Sequence, residues 1–153
     1  NSQYTKAYYN RGWIKAQLKD YYGAISDYTK AIEINPNDSQ AYLNRGFAKG
    51  TLKDFYGAIS DFTNAININP QYAKAYYNRG WNKAKLKDYY GSISDLTKAI
   101  EINPEYKNAF RNRGIDKKAI GDLKGACFDW RKAYALGDNV SAKLIKDYCS
   151  SDG

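Results

Sequence analysis

Residues 7–36 read AYYNRGWIKAQLKDYYGAISDYTKAIEINP, and the stretch returns at 75–104 as AYYNRGWNKAKLKDYYGSISDLTKAIEINP. The chain's three prolines, Pro36, Pro70 and Pro104, each lie 34 residues from the next, so one period governs the sequence. With proline at place 32 of a 34-residue unit, the units run 5–38, 39–72, 73–106 and 107–140. The first and third share 27 of 34 residues, the first and fourth only 11. Within a unit an apolar pattern over AYYNRGWIKAQL is followed by LKD and a second pattern over GAISDYTKAIEI, which NP ends. Each unit therefore reads as a helical hairpin. In its second helix Ala24, Ile25, Tyr28, Ala31 and Ile32 fall on one face. Asp20, Asp54, Asp88 and Asp122 stand where they can cap that helix, and proline stops it by withholding a donor.

The outer bounds agree. Of 153 residues, 43% are apolar and 26% charged, as in folded globular chains, and no apolar run approaches the roughly 20 residues that cross a bilayer. With no His and two Cys, structural zinc and the commonest general base are disfavoured. No Ser or Cys has a base nearby in sequence, so no catalytic residue and no cofactor is expected. Sixteen Tyr and a formal charge of +8 suit binding. Asn1 in place of Met reads as the end of a processed or excised chain, so a targeting segment upstream would be out of sight.

The pattern resembles the tetratricopeptide repeat family, in the form of a bacterial-type array. The family's large aromatic is Tyr8, Tyr42, Tyr76 and Phe110, and its Gly is Gly12, Gly46, Gly80 and Gly114. The first small residue is Ala24, Ala58, Ser92 and Ala126; the later aromatic is Tyr28, Phe62 and Trp130, with Leu96 substituting; the second Ala is Ala31, Ala65, Ala99 and Ala133. The fourth unit has Asp138 where the proline belongs, and Leu136-Gly137-Asp138 reads as a stop and restart. The resemblance implies an all-α fold: a right-handed superhelix of four hairpins with a solvating end helix over 141–149, one domain spanning 1–153.

Two places depart from the family. Arg11, Arg45, Arg79 and Arg113 stand where Leu is usual, and Lys15, Lys49, Lys83 and Lys117 where Tyr is usual, both on the inward stripe of the first helix. A buried guanidinium needs a partner. Asp27, Asp61, Asp95 and Asp129 recur in the second helix, so an Arg–Asp pair between helices is expected in every unit. The competing reading gives these arginines to an anionic ligand.

A second stripe on the first helix occupies places 2, 5, 6, 9, 12 and 13 and carries no acid in any unit. By resemblance it lines the concave wall where ligands bind. The candidate ligand-binding residues are a ladder, Asn10, Asn44, Asn78 and Asn112; aromatic anchors Tyr9, Trp13, Phe47, Tyr77 and Trp81; and cations Lys6, Lys74, Lys85 and Arg111. An Asn amide offers the donor and acceptor that one backbone peptide unit needs, and related arrays hold an extended peptide in this way. The cations favour an acidic segment or a free C-terminus. The bland alternative is that the Asn records duplication and the aromatics only pack. The family's clamp for a C-terminal dicarboxylate is incomplete, since Asn44 and Lys74 match but Tyr9, Trp13 and Asn78 stand where Lys, Asn and Arg belong.

The expected function is a non-enzymatic protein–protein interaction module for an extended peptide. Nucleic-acid or polyanion binding is the alternative, disfavoured because Lys and Arg are spread over all units; self-assembly by repeat stacking is another. Cys127 and Cys149 flank the turn at Gly137 and become neighbours if 141–149 folds back. A bridge there implies an exported, oxidising compartment; two free thiols imply the cytoplasm.

Overall fold

The computed structural model describes residues 2–149. Asn1 and residues 150–153, part of the domain expected over 1–153, lie outside them. The described residues form nine helices and no strand: α1 (Ser2–Gln17), α2 (Tyr21–Ile34), α3 (Ser39–Thr51), α4 (Phe55–Ile68), α5 (Ala73–Lys85), α6 (Tyr89–Ile102), α7 (Lys107–Ala119), α8 (Leu123–Ala135) and α9 (Val140–Tyr148). Each odd helix packs on the next to make a hairpin, each hairpin's second helix packs on the first helix of the following one, and α9 closes on α8. The stack is a right-handed superhelix.

Local chemistry sets the helix ends. Asp20, Asp54, Asp88 and Asp122 accept the backbone N–H of Gly23, Gly57, Gly91 and Gly125 at 2.8–2.9 Å, filling the first free amides of α2, α4, α6 and α8. The turn before each cap puts Lys19, Lys53 and Lys87 at φ 64–66°, whereas the fourth unit has Gly121 there at φ 89°, the residue that conformation favours. Within a hairpin the two helices touch through glycine. A Cβ on Gly46 would stand 2.9 Å from the Phe62 ring, and one on Gly114 would stand 2.5 Å from the Trp130 indole nitrogen. Tyr28, Phe62, Leu96 and Trp130 fill that contact and are buried, with Ala31, Ala65, Ala99 and Ala133 beside them.

The four expected ion pairs form. Arg11, Arg45, Arg79 and Arg113 each donate two hydrogen bonds to Asp27, Asp61, Asp95 and Asp129 at 2.6–2.9 Å. Lys15, Lys49, Lys83 and Lys117 join the same carboxylates at 2.8–2.9 Å. From the second unit on, the arginine also reaches the preceding repeat: Arg45, Arg79 and Arg113 donate to the hydroxyls of Thr29, Thr63 and Thr97 at 3.0–3.1 Å. These three side chains are 12–17% exposed, whereas Arg11, with no described helix before α1, is 57% exposed. The hydrogen-bonded guanidinium of Arg11 still holds the Asp27 carboxyl below the usual carboxylate range.

The fourth unit is tied off differently. Cys127 and Cys149 are joined with their Cα atoms 5.7 Å apart, Cys149 lying just past α9. Asp138, standing at the proline place, accepts from the Ser141 hydroxyl and from Arg111. Trp130 is fully buried and donates its indole N–H to the Arg111 carbonyl at 3.2 Å.

Among the described residues one buried carboxyl has no cation. Asp116, on α7, accepts only the Ser92 hydroxyl at 2.6 Å, and burial pushes it up to about 6.

Two predictions follow from these buried charges. Asp61→Leu leaves both Arg45 and Lys49 unpaired and should destabilise by about 3–5 kcal/mol in urea unfolding, whereas Arg45→Leu, which leaves Lys49 on Asp61, should cost clearly less. Asp116 holds its proton to higher pH folded than unfolded, so its contribution to stability rises as pH falls from about 7 to about 4. Asp116→Asn should therefore stabilise at neutral pH by on the order of 2 kcal/mol and by little at about pH 4, read as the difference between variant and parent.

Candidate functional site

Three hollows follow one another along the first helices at repeat spacing. The first, about 450 Å³, has Trp13 and Phe47 on its walls with Tyr21, Asn44, Lys74 and Asn78. The second, about 760 Å³, lies between Phe47 and Trp81, and the third, about 240 Å³, between Trp81 and Ile115. Phe47 and Trp81, at place 9 of the second and third units, thus separate one hollow from the next. The geometry follows from helical spacing, because places 5, 9, 12 and 13 fall on one face of the first helix. Trp13, Phe47 and Trp81 keep substantial exposure there. No acidic side chain lines the first two hollows; Asp116 borders the third.

The asparagines are not equivalent. Asn44 donates to the Tyr9 hydroxyl at 2.8 Å and Asn112 to the Tyr77 hydroxyl at 3.1 Å, each reaching the repeat before it. Burial raises both phenols, so these tyrosines stay neutral. Asn78 finds no such partner, because the second unit has Leu43 where the first and third have tyrosine. Leu43 is buried, and the Asn78 amide turns back to the Lys74 carbonyl at 2.9 Å. Asn10 is exposed near the start of the array.

The cations divide as well. Lys74 borders the first hollow, and Lys85 borders the second and third with its ammonium 4.6 Å from the Trp81 ring centre. Lys6 is exposed on the first turns of α1, away from the hollows. Arg111 is turned to Asp138, so its charge serves the end of the array. The hollows bring together Trp13, Phe47, Tyr77, Trp81, Asn44, Asn78, Asn112, Lys74 and Lys85; Asn10, Lys6, Tyr9 and Arg111 do not line them.

The second helices contribute residues absent from the sequence-derived set. Tyr21, Phe55 and Tyr89, each directly after the capping Asp, line the first, second and third hollows. Their recurrence at 34 residues was the available signal. Asn82, buried on α5, lines the second hollow. A polar residue at a place that holds Ile14 and Ala48 in earlier units marks it in the sequence.

Family models of the tetratricopeptide repeat match residues 5–38, 27–59 and 73–106, together more than half of the chain. No curated protein sequence matches significantly. Among solved structures, MamA aligns with TM-score 0.84 and 24% identity over 89% of this chain and 74% of that one. A MamA fragment from Desulfovibrio magneticus RS-1 gives 0.81 and 23% over 86% and 75%. The first such domain of Spaghetti (RPAP3), bound to the HSP90 peptide SRMEEVD, gives 0.77 and 27% over 79% of this chain and 96% of that one. The period, the paired helices, the glycine contacts and the family models agree: the chain belongs to the tetratricopeptide repeat family.

Proposed function

We propose that the chain is a non-enzymatic interaction module that lays an extended, acidic peptide segment along the row of hollows. The observation that carries this reading is the row itself: aromatic walls at repeat spacing, lysines beside them and no acid around the first two hollows. Exposed Trp and Phe are typical interface anchors, and clustered cations speed and orient the approach of an anionic partner. The peptide backbone pairs at Asn78, whose amide nitrogen is held only by the Lys74 carbonyl of its own helix rather than tied to a tyrosine of the preceding repeat, so the centre of the array does most of the holding. The Spaghetti domain, solved with a peptide ending in acidic residues, uses the same fold for a ligand of the same sign. The disulfide Cys127–Cys149 supports an exported, oxidising compartment for the chain and its partner.

The test is selection of peptides from a library followed by calorimetry on variants. Asn78→Ala should lower the affinity of selected peptides by about tenfold without loss of stability, because Ala is the better helix former. Trp81→Ala should lower it at all salt concentrations, and Lys74→Ala should flatten the salt dependence. Selected peptides without acidic enrichment, or binding unchanged by Asn78→Ala and Trp81→Ala, would place the interaction elsewhere. Intact mass after alkylation without reductant should show no labelled thiol, and reduction should destabilise by about 3 kcal/mol through the loop that the bridge closes.

A further inference from the structure

The second hollow holds a buried acceptor that no described residue satisfies. Asn82 is 3% exposed, and its amide nitrogen donates to the Asn78 carbonyl at 2.7 Å. That bond fixes the side chain with Oδ1 toward Gly50, where a Cβ would stand 2.8 Å from it. Oδ1 has no donor, the one buried side-chain polar atom among the described residues in that condition. Buried polar groups are normally paired, so an exception points to a missing partner.

The neighbouring repeat shows what the chain does when it supplies that partner. Place 10 of the fourth unit is Asp116, and the donor comes from Ser92 at place 20 of the unit before. Place 10 of the third unit is Asn82, and place 20 of the unit before is Ala58, which has no hydroxyl. The acceptor is kept and its internal donor is absent.

We infer that this hollow takes a tyrosine side chain from the bound peptide, its phenol O–H donating to Asn82 Oδ1. Phe47, Trp81, Phe55 and Tyr77 supply aromatic walls for the ring, and Gly50 puts no side chain against Oδ1. Lys53 and Lys85 at the same hollow repel a lysine or arginine donor and attract carboxylates flanking the tyrosine. A serine or threonine would reach the oxygen only by leaving the aromatic walls unfilled, and an indole carries its N–H on the side of the ring rather than at the tip. The inference rests on the groove reading and adds the residue that the groove selects.

The experiment uses a fluorescent acidic peptide with one central tyrosine and its phenylalanine twin, titrated by anisotropy against the full chain. The tyrosine peptide should bind about tenfold tighter, as one recovered buried hydrogen bond allows. Asn82→Ala, which installs the residue that the second unit carries as Ala48, should remove the preference by weakening the tyrosine peptide alone. Ala58→Ser should also remove it, by giving Oδ1 the hydroxyl that Ser92 gives Asp116, and should raise thermal stability. If both peptides bind the parent equally, or if the preference survives both substitutions, the tyrosine site is wrong while the groove reading stands. If neither peptide binds, both fall.

Discussion

A carboxylate in the middle of each second helix organises the array. Asp27, Asp61, Asp95 and Asp129 are almost fully buried, and each gathers an arginine and a lysine from the first helix of its own unit. Two cations on one carboxylate leave positive charge over, and the third arginine nitrogen directs part of it to a threonine hydroxyl of the previous repeat. Apolar residues replacing the carboxylate and both its cations together would hold a hairpin about as well, since buried ion pairs are costly to desolvate. What the network adds is registration: the carboxylate fixes the angle within a hairpin, and the threonine fixes where the next hairpin sits. Remove the carboxylate and both lose their anchor.

On the opposite side of the first helices a second set of links runs between repeats, and it is incomplete. Tyr9 to Asn44 and Tyr77 to Asn112 tie the first unit to the second and the third to the fourth. Between the second and third, Leu43 replaces the tyrosine and no link forms. This wall is thus linked between repeats at its two ends and unlinked at its centre, where the largest of the three hollows lies. The proposed binding surface and the links between repeats use the same residue types, and the residue at place 5 of the preceding unit decides whether an asparagine is tied across the repeats.

Much of this was legible in the sequence. The 34-residue period fixed the hairpins, the Arg–Asp pairs and the Asp caps, because each depends on residues whose spacing repeats. The row of Trp13, Phe47 and Trp81 came from the same arithmetic. What escaped was relational. Thr29, Thr63 and Thr97 are unremarkable until the next repeat's arginine is placed beside them. Asn44 and Asn78 look identical in a helical projection, yet one is bonded to Tyr9 and the other is not, for a reason written 35 residues earlier in the chain. Arg111 reads as a groove cation until the fourth unit's missing proline is seen to have put Asp138 within its reach.

The origin of the central hollow lies in how the second unit differs from its neighbours. The first and third units are near copies, and each carries Trp, Ala and Tyr at places 9, 12 and 17. The second carries Phe47, Gly50 and Phe55 there, and Leu43 for tyrosine at place 5. Each change is to a smaller or less polar side chain. Duplication alone would have copied the larger set, and selection for packing alone would refill space that Gly50 and Phe47 vacate, since unfilled volume forfeits contacts. Phe47, Gly50 and Phe55 sit together around the second hollow, and the third unit answers with Asn82 where the first two have Ile14 and Ala48. Loss of volume from one repeat and gain of a buried acceptor in the next meet at the same seam. The proposed binding site uses both changes together, and stacking of repeats requires neither.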